Sequence, residues 1–232
     1  MPEQIREQLE LVREQIARAA ERAGRSADEI TLIAVSKTFD AETVQQAVTA
    51  GAQDLGENRV QEAISKVPLV TGNVRWHLIG SLQSNKARNA VTTFDVIHTI
   101  DRRDLVPRLD RIAGELGRQP RVLVQVDLSH EPTKSGADEA DLPAILEALD
   151  ATQHLQFIGL MTLPPLFDSP EQTRPYFRRL REIRDQLNHS RGGPKTLTEL
   201  SMGMSHDFEV AIEEGATMVR VGTAIFGSRS KK

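Results

Sequence analysis

Between residues 3 and 23 the apolar positions recur at intervals of three and four: Ile5, Leu9, Val12, Ile16, Ala19 and Ala20. This spacing predicts an amphipathic helix that closes near Gly24. Residues 31–35 are a short apolar, partly β-branched run, the pattern of a buried strand, and residues 41–50 read as a helix ending at Gly51. The strand–helix unit then repeats along the chain. Strands are expected at 54–56, 74–79, 95–100, 122–126, 157–160, 196–200 and 217–221. The helices between them are expected at 60–67, 84–91, 105–116, 142–149, 176–187 and 208–214.

Strands that alternate with helices imply right-handed crossovers and a parallel sheet, and eight such units can close into an α/β (β/α)8 TIM barrel. An open doubly wound sheet is the competing architecture. No G-x-G-x-x-G follows the first strand, and no Pro, Gly or Ser-rich linker divides the chain. The expectation is one barrel domain over residues 1–232, preceded by the amphipathic helix.

Composition narrows the function classes. The 232 residues carry a formal net charge of −4, so there is no global positive field to recruit nucleic acid or an anionic membrane. Cysteine is absent, which removes disulfides, thiolate nucleophiles and Cys-ligated metal centres. The six histidines show no H-E-x-x-H or related spacing, so no metal site is expected. The polar, acidic first residues differ from a signal or transit peptide, and no run of about 18 apolar residues occurs. A cytoplasmic protein is the expectation.

In a barrel of this kind chemistry collects where strands end and βα loops begin. Ser36-Lys37-Thr38 follows the first expected strand and Glu57-Asn58-Arg59 the second. Ser201 to Ser205 follows the seventh, and Gly222-Thr223 the eighth. Lys37, at the end of an apolar strand, is either a Schiff-base lysine or a lysine snorkelling to water. Ser201-Met202-Gly203-Met204-Ser205 and Val219-Arg220-Val221-Gly222-Thr223-Ala224 are either two phosphate cradles or two capped glycine turns. Arg220 could donate to a pyridine nitrogen or pair with a barrel acid such as Glu57. Trp76 and Met161 could pack round a ring or fill the barrel interior. Glu209, Glu213 and Glu214 read as a solvated helix face.

Taken together, Ala34-Val35-Ser36-Lys37-Thr38, Gly56-Glu57-Asn58-Arg59-Val60-Gln61-Glu62, Trp76-His77-Leu78-Ile79-Gly80, Leu82-Gln83-Ser84-Asn85-Lys86 and the two late motifs closely resemble the pyridoxal phosphate homeostasis proteins, the YggS/PROSC family. The resemblance spans nearly the whole chain in the family's order. It implies a barrel like the N-terminal domain of alanine racemase, with pyridoxal 5′-phosphate (PLP) held as a Schiff base on Lys37. It further implies phosphate ligands at Ser201, Gly203, Gly222 and Thr223, a pyridine-nitrogen partner at Arg220 and a ring-edge polar group at Asn58. Ser81 and His206 depart from the family pattern, the latter beside the expected cradle.

The function so implied is intracellular PLP (vitamin B6) homeostasis by a monomeric carrier without substantial catalysis, with PLP-dependent apoenzymes as possible acceptors of the cofactor. The alternative is an amino-acid racemase of the same fold. Racemases of this type add a C-terminal β domain and a second acid–base group, for which the chain is expected to have no remaining segment, and its one tyrosine, Tyr176, opens a helix after strand six. A phosphosugar aldolase would also account for a lysine near phosphate loops. Lys134, in the loop after strand five, is a second amine expected on the same rim.

Overall fold

A computed structural model describes residues 2–129, 135–191 and 197–227. Its centre is a closed barrel of eight strands in the order β1-β2-β3-β4-β5-β6-β7-β8. These are β1 (Thr31–Val35), β2 (Asp54–Glu57), β3 (Arg75–Leu78), β4 (Val96–Ile100), β5 (Arg121–Gln125), β6 (Gln156–Met161), β7 (Glu199–Met204) and β8 (Met218–Val221). Every pairing is parallel, including β1 with β8, which closes the ring.

The helices are α1 (Pro2–Arg22), α2 (Ala41–Thr49), α3 (Val60–Lys66), α4 (Ala87–Thr93), α5 (Leu105–Leu116), α6 (Leu142–Asp150), α7 (Arg174–Arg191), α8 (Phe208–Glu213) and α9 (Thr223–Phe226). The expected stripe of α1 is buried from Ile5 through Ala20 and packs on α2, α8 and α9. Asp40 caps α2 by accepting from the Thr43 N–H at 2.8 Å, and α5 stops at Gly117 in the left-handed conformation.

Alternation along the strands sorts side chains into two layers. Leu55, Trp76, Leu78, Ile97, Val122 and Leu200 face the helices within the main apolar core. Ile33, Val96, Leu123, Met161 and Met218 form a smaller apolar cluster inside the barrel. Met161 is therefore barrel interior, whereas Trp76 packs outward against helices.

Two expectations change. Strand seven begins at Glu199 and runs to Met204, so the Ser-Met-Gly-Met segment is strand and not loop. Ser201 pairs with Met218 but Met204 with Arg220, three residues against two, and the extra residue is absorbed by a bulge containing Gly203 at φ +91°. The acidic face after β7 is also not simply solvated. Arg22 binds Glu209 at 2.8 Å and Glu213 at 2.9 Å, while Glu214 is buried among Arg174, Arg178 and Arg181. Those pairs tie α8 to α1 and α7. Among the described residues no helix is long and apolar enough to cross a membrane.

Candidate functional site

Lys37 lies in the turn that leaves β1, half-buried, and its loop is strapped from below. Ser36 and Glu57 point outward between the barrel and α3. The Ser36 hydroxyl donates to Glu57 Oε1 at 2.7 Å. Lys66, buried at the end of α3, donates to the Ser36 carbonyl at 2.8 Å, to Glu57 Oε1 at 2.8 Å and to Glu62 Oε1 at 2.6 Å. Glu62 in turn accepts from the N–H of Thr38, which holds a left-handed φ of +72°. A buried cation and two carboxylates thus fix both residues flanking Lys37, and the hydrogen bonds offset a backbone conformation that β-branched residues avoid. Burial pushes the Glu57 carboxyl above its ordinary value, although Lys66 and Ser36 pull the other way.

Asn58 follows β2 on the neighbouring strand end. Its Oδ1 is buried and lacks a hydrogen-bond partner. An unsatisfied buried acceptor is costly and marks a place where a ligand can supply the missing donor. The backbone reaches this position because residue 80 is glycine: a Cβ there would stand 2.1 Å from the Asn58 carbonyl oxygen.

On the other side of β1, Gly222 ends β8 and opens α9. Ser205 Oγ accepts from the N–H groups of Gly222 at 3.1 Å and Ala224 at 3.4 Å, with Thr223 exposed between them. This is a turn of convergent backbone donors beside a hydroxyl. Gly203 lies under it, in contact with α8: an added Cβ would be 2.6 Å from the Ala211 Cβ. Its glycine is required by the backbone crowding at the β7–α8 junction.

Arg220 points into the barrel and is 3% exposed. Its Nη1 donates to Ser201 Oγ at 2.6 Å and its Nη2 to the Thr162 carbonyl at 2.9 Å. Burial pushes the guanidinium down to about 10, against the pull of Asp207, so it stays charged at neutral pH. The Ser201 hydroxyl also meets His98 Nδ1 at 2.9 Å, so it serves the interior. Glu57 is paired with Lys66, and Arg220 takes none of the Glu57 oxygens.

The site therefore gathers the ends of β2, β1, β8 and β7, four successive staves. Lys37 and Asn58 stand near one side, Gly222 and Thr223 near the other, with Arg220 below. Ser81 and His206 are exposed, His206 beside a pocket that Ser205 also lines. Tyr176 packs against Phe167 with ring centroids 5.8 Å apart. Lys134 lies outside the described residues. Lys66 and His98 are contributors that no motif singles out, while Ser205 closes the Ser-Met-Gly-Met-Ser motif without an expected role of its own. Ser205 is legible as a hydroxyl two residues past a strand-end glycine, and His98 as a second inward polar position one strand from His77. Nothing local in the sequence marks Lys66.

A parallel barrel with an amine at the first strand end and a donor turn at the last defines a class. Residues 8–230 match the alanine racemase N-terminal domain family. The alanine racemase of Clostridium difficile 630 shares the fold at a TM-score of 0.73 and 17% identity, over 99% of this chain and 61% of that one. Much closer is PipY of Synechococcus elongatus PCC7942, solved with PLP bound: 45% identical, TM-score 0.86, over 97% of this chain and 100% of that one. The pyridoxal phosphate homeostasis protein of Aquifex aeolicus is 42% identical, over 96% of this chain and 97% of its own length. That of Escherichia coli K12 is 43% identical, over 98% and 99%. The chain belongs to the pyridoxal phosphate homeostasis protein family.

Proposed function

We infer that this barrel binds PLP at the rim formed by β7, β8, β1 and β2, and acts as a carrier in intracellular PLP homeostasis. The observation that carries the reading is a buried acceptor without a partner, set at the rim between a strand-end amine and a turn of backbone N–H groups. Asn58 Oδ1 is buried without a partner, on the strand next to a strapped lysine and two staves from a turn of backbone donors. The donor set fits a phosphorylated aromatic aldehyde with a ring nitrogen, and the relative PipY was solved with PLP bound.

In this reading PLP supplies an aldehyde that an amine can condense with, releasing water. Lys37 provides the amine, and the Lys66–Glu57–Glu62 strap holds its loop in one conformation. The Thr223 N–H holds the phosphate together with the Gly222 N–H, for which the phosphate replaces Ser205 Oγ as acceptor, and Gly203 lets β7 bend under that turn. Ser201 acts through Arg220 by its hydroxyl. Arg220, charged and donor-only, faces the ring nitrogen and keeps it unprotonated, which weakens electron withdrawal into the ring. Asn58 meets the polar ring edge.

Weak electron withdrawal alone does not separate a carrier from a racemase, since alanine racemases share the arginine; what favours the carrier is that the close relatives are named for homeostasis. Two experiments test the reading. Lys37→Ala should abolish covalent attachment, seen as loss of the attached-cofactor absorbance, while equilibrium dialysis still detects weaker PLP binding. Unchanged absorbance would move the attachment elsewhere. Holo-protein incubated with L-alanine in deuterated water should show no α-deuteration at enzyme-like rates, about 1 per second or faster. Deuteration with accumulation of the D-isomer at such rates would favour the racemase.

A further inference from the structure

A second set of titratable groups lies inside the barrel below the rim. Asp54 opens β2, and His77, His98, Ser201 and Arg220 each occupy the third position of β3, β4, β7 and β8. All five are buried, His98 and Ser201 completely. Asp54 Oδ1 is 2.8 Å from His77 Nε2, and His77 Nδ1 is 2.9 Å from His98 Nε2. His98 Nδ1 is 2.9 Å from Ser201 Oγ, which Arg220 Nη1 approaches at 2.6 Å. The line follows three neighbouring strands, crosses the lumen from β4 to β7, and ends at Arg220.

The protonation states are set by surroundings. Burial holds His77 below its ordinary value, and burial with the nearby His77 and Arg220 holds His98 well below it, so both are neutral. Burial opposes the Asp54 charge, but hydrogen bonds from His77 and Arg75 prevail and keep the carboxyl below its ordinary value. A carboxylate only accepts, so His77 must carry its hydrogen on Nε2. Its Nδ1 is then an acceptor, which places the His98 hydrogen on Nε2 as well. His98 Nδ1 accepts in turn from the Ser201 hydroxyl, and Ser201 accepts from Arg220. The reverse order would set an imidazole lone pair against the Asp54 carboxylate, so one direction alone satisfies every link.

We propose that Asp54, His77, His98 and Ser201 are positioning residues for Arg220, forming a one-way line of hydrogen bonds from the guanidinium to a carboxylate at the opposite end of the barrel. The line fixes the rotation of Arg220, whose charge Asp207 supports from another side. At its far end Asp54 and Arg75 line a surface pocket against α1, so the bottom of the barrel is linked to the rim. The consequence for cofactor binding rests on the PLP reading; the direction of the line does not.

The experiment is nitrogen NMR of 15N-histidine-labelled full-length protein without cofactor, paired with PLP titrations. In the wild type, His77 and His98 should both be neutral Nε2–H tautomers at about pH 7.5. Asp54→Asn puts an amide at the anchor that can either accept or donate. His98, two links away, should then shift its Nδ1 resonance from the acceptor range toward the N–H range, and PLP affinity should fall about tenfold. An Nδ1–H tautomer of His98 in the wild type would overturn the proposal, as would an unmoved His98 resonance or unchanged PLP affinity in the variant. If Asp54→Asn does not fold, His98→Leu should lose the same tenfold, and His98→Gln, which can both accept and donate, should recover all but about threefold. Equal losses in the two would overturn it. A wild type that binds no PLP would remove the functional reading while the tautomers still decide the line.

Discussion

At the scale of single residues, the site depends on groups that never touch a ligand. Lys66 is the clearest case, since its ammonium holds the Ser36 carbonyl and two carboxylates under the Lys37 loop. Lys66→Met would leave Glu57 fully buried with an uncompensated charge, a change that costs about 3–5 kcal/mol. The loss should depend on pH. Without Lys66 the folded-state pKa of Glu57 rises further above its unfolded value, so the folded state binds the extra proton. Stability then recovers as pH falls through that folded pKa, and the deficit against wild type is greatest above it. Urea unfolding at about pH 8 and pH 5 checks this: a deficit that is equal at both pH values, or absent, contradicts the strap. Arg220 shows the same logic inside the barrel, where a donor-only side chain is held by Ser201 and a carbonyl.

At the scale of elements, β7 does the most to shape the rim. Its bulge at Gly203 combines a left-handed φ with a Cβ position already taken by Ala211 and by the Phe208 Cα, 2.8 Å away. Gly203→Ala should cost about 3 kcal/mol or more, from backbone strain together with overpacking, read as a lower urea midpoint. A midpoint equal to wild type would show that β7 and α8 can separate without penalty. This strand is also where the local pattern misplaces a boundary. Residues 196–200 look like the strand because they precede a glycine-containing segment of small residues, and glycine ordinarily signals a turn. Here β6 pairs with Ser201, and β8 pairs with Ser201 and, past the bulge, with Met204, so tertiary hydrogen bonding overrides the local signal. By contrast β1 and α5 match their expected limits of 31–35 and 105–116, each having a plain apolar pattern with an unambiguous glycine or polar stop. The acidic residues after β7 mislead because their arginine partners come from α1 and α7, distant in sequence.

At the scale of the whole molecule, eight strand–helix units are legible because each repeats the same short apolar run and amphipathic helix, and closure follows from their number. The rim is legible to the extent that its groups sit at strand ends: Lys37, Asn58 and Gly222 each fall there, with Arg220 one residue before the end of β8. The interior line and the strap are not, since both are made by side chains from separate strands or a flanking helix that meet only after the barrel closes. What unites the two is that each positions one residue of the site, Lys37 at the rim from outside the sheet and Arg220 below it from within. The strap serves cofactor binding only if Lys37 is the attachment point. Holo-protein reduced with borohydride, digested and mapped by mass spectrometry should carry the pyridoxyl group on the peptide containing Lys37. Recovery of the label on another lysine, with none on Lys37, would contradict that assignment.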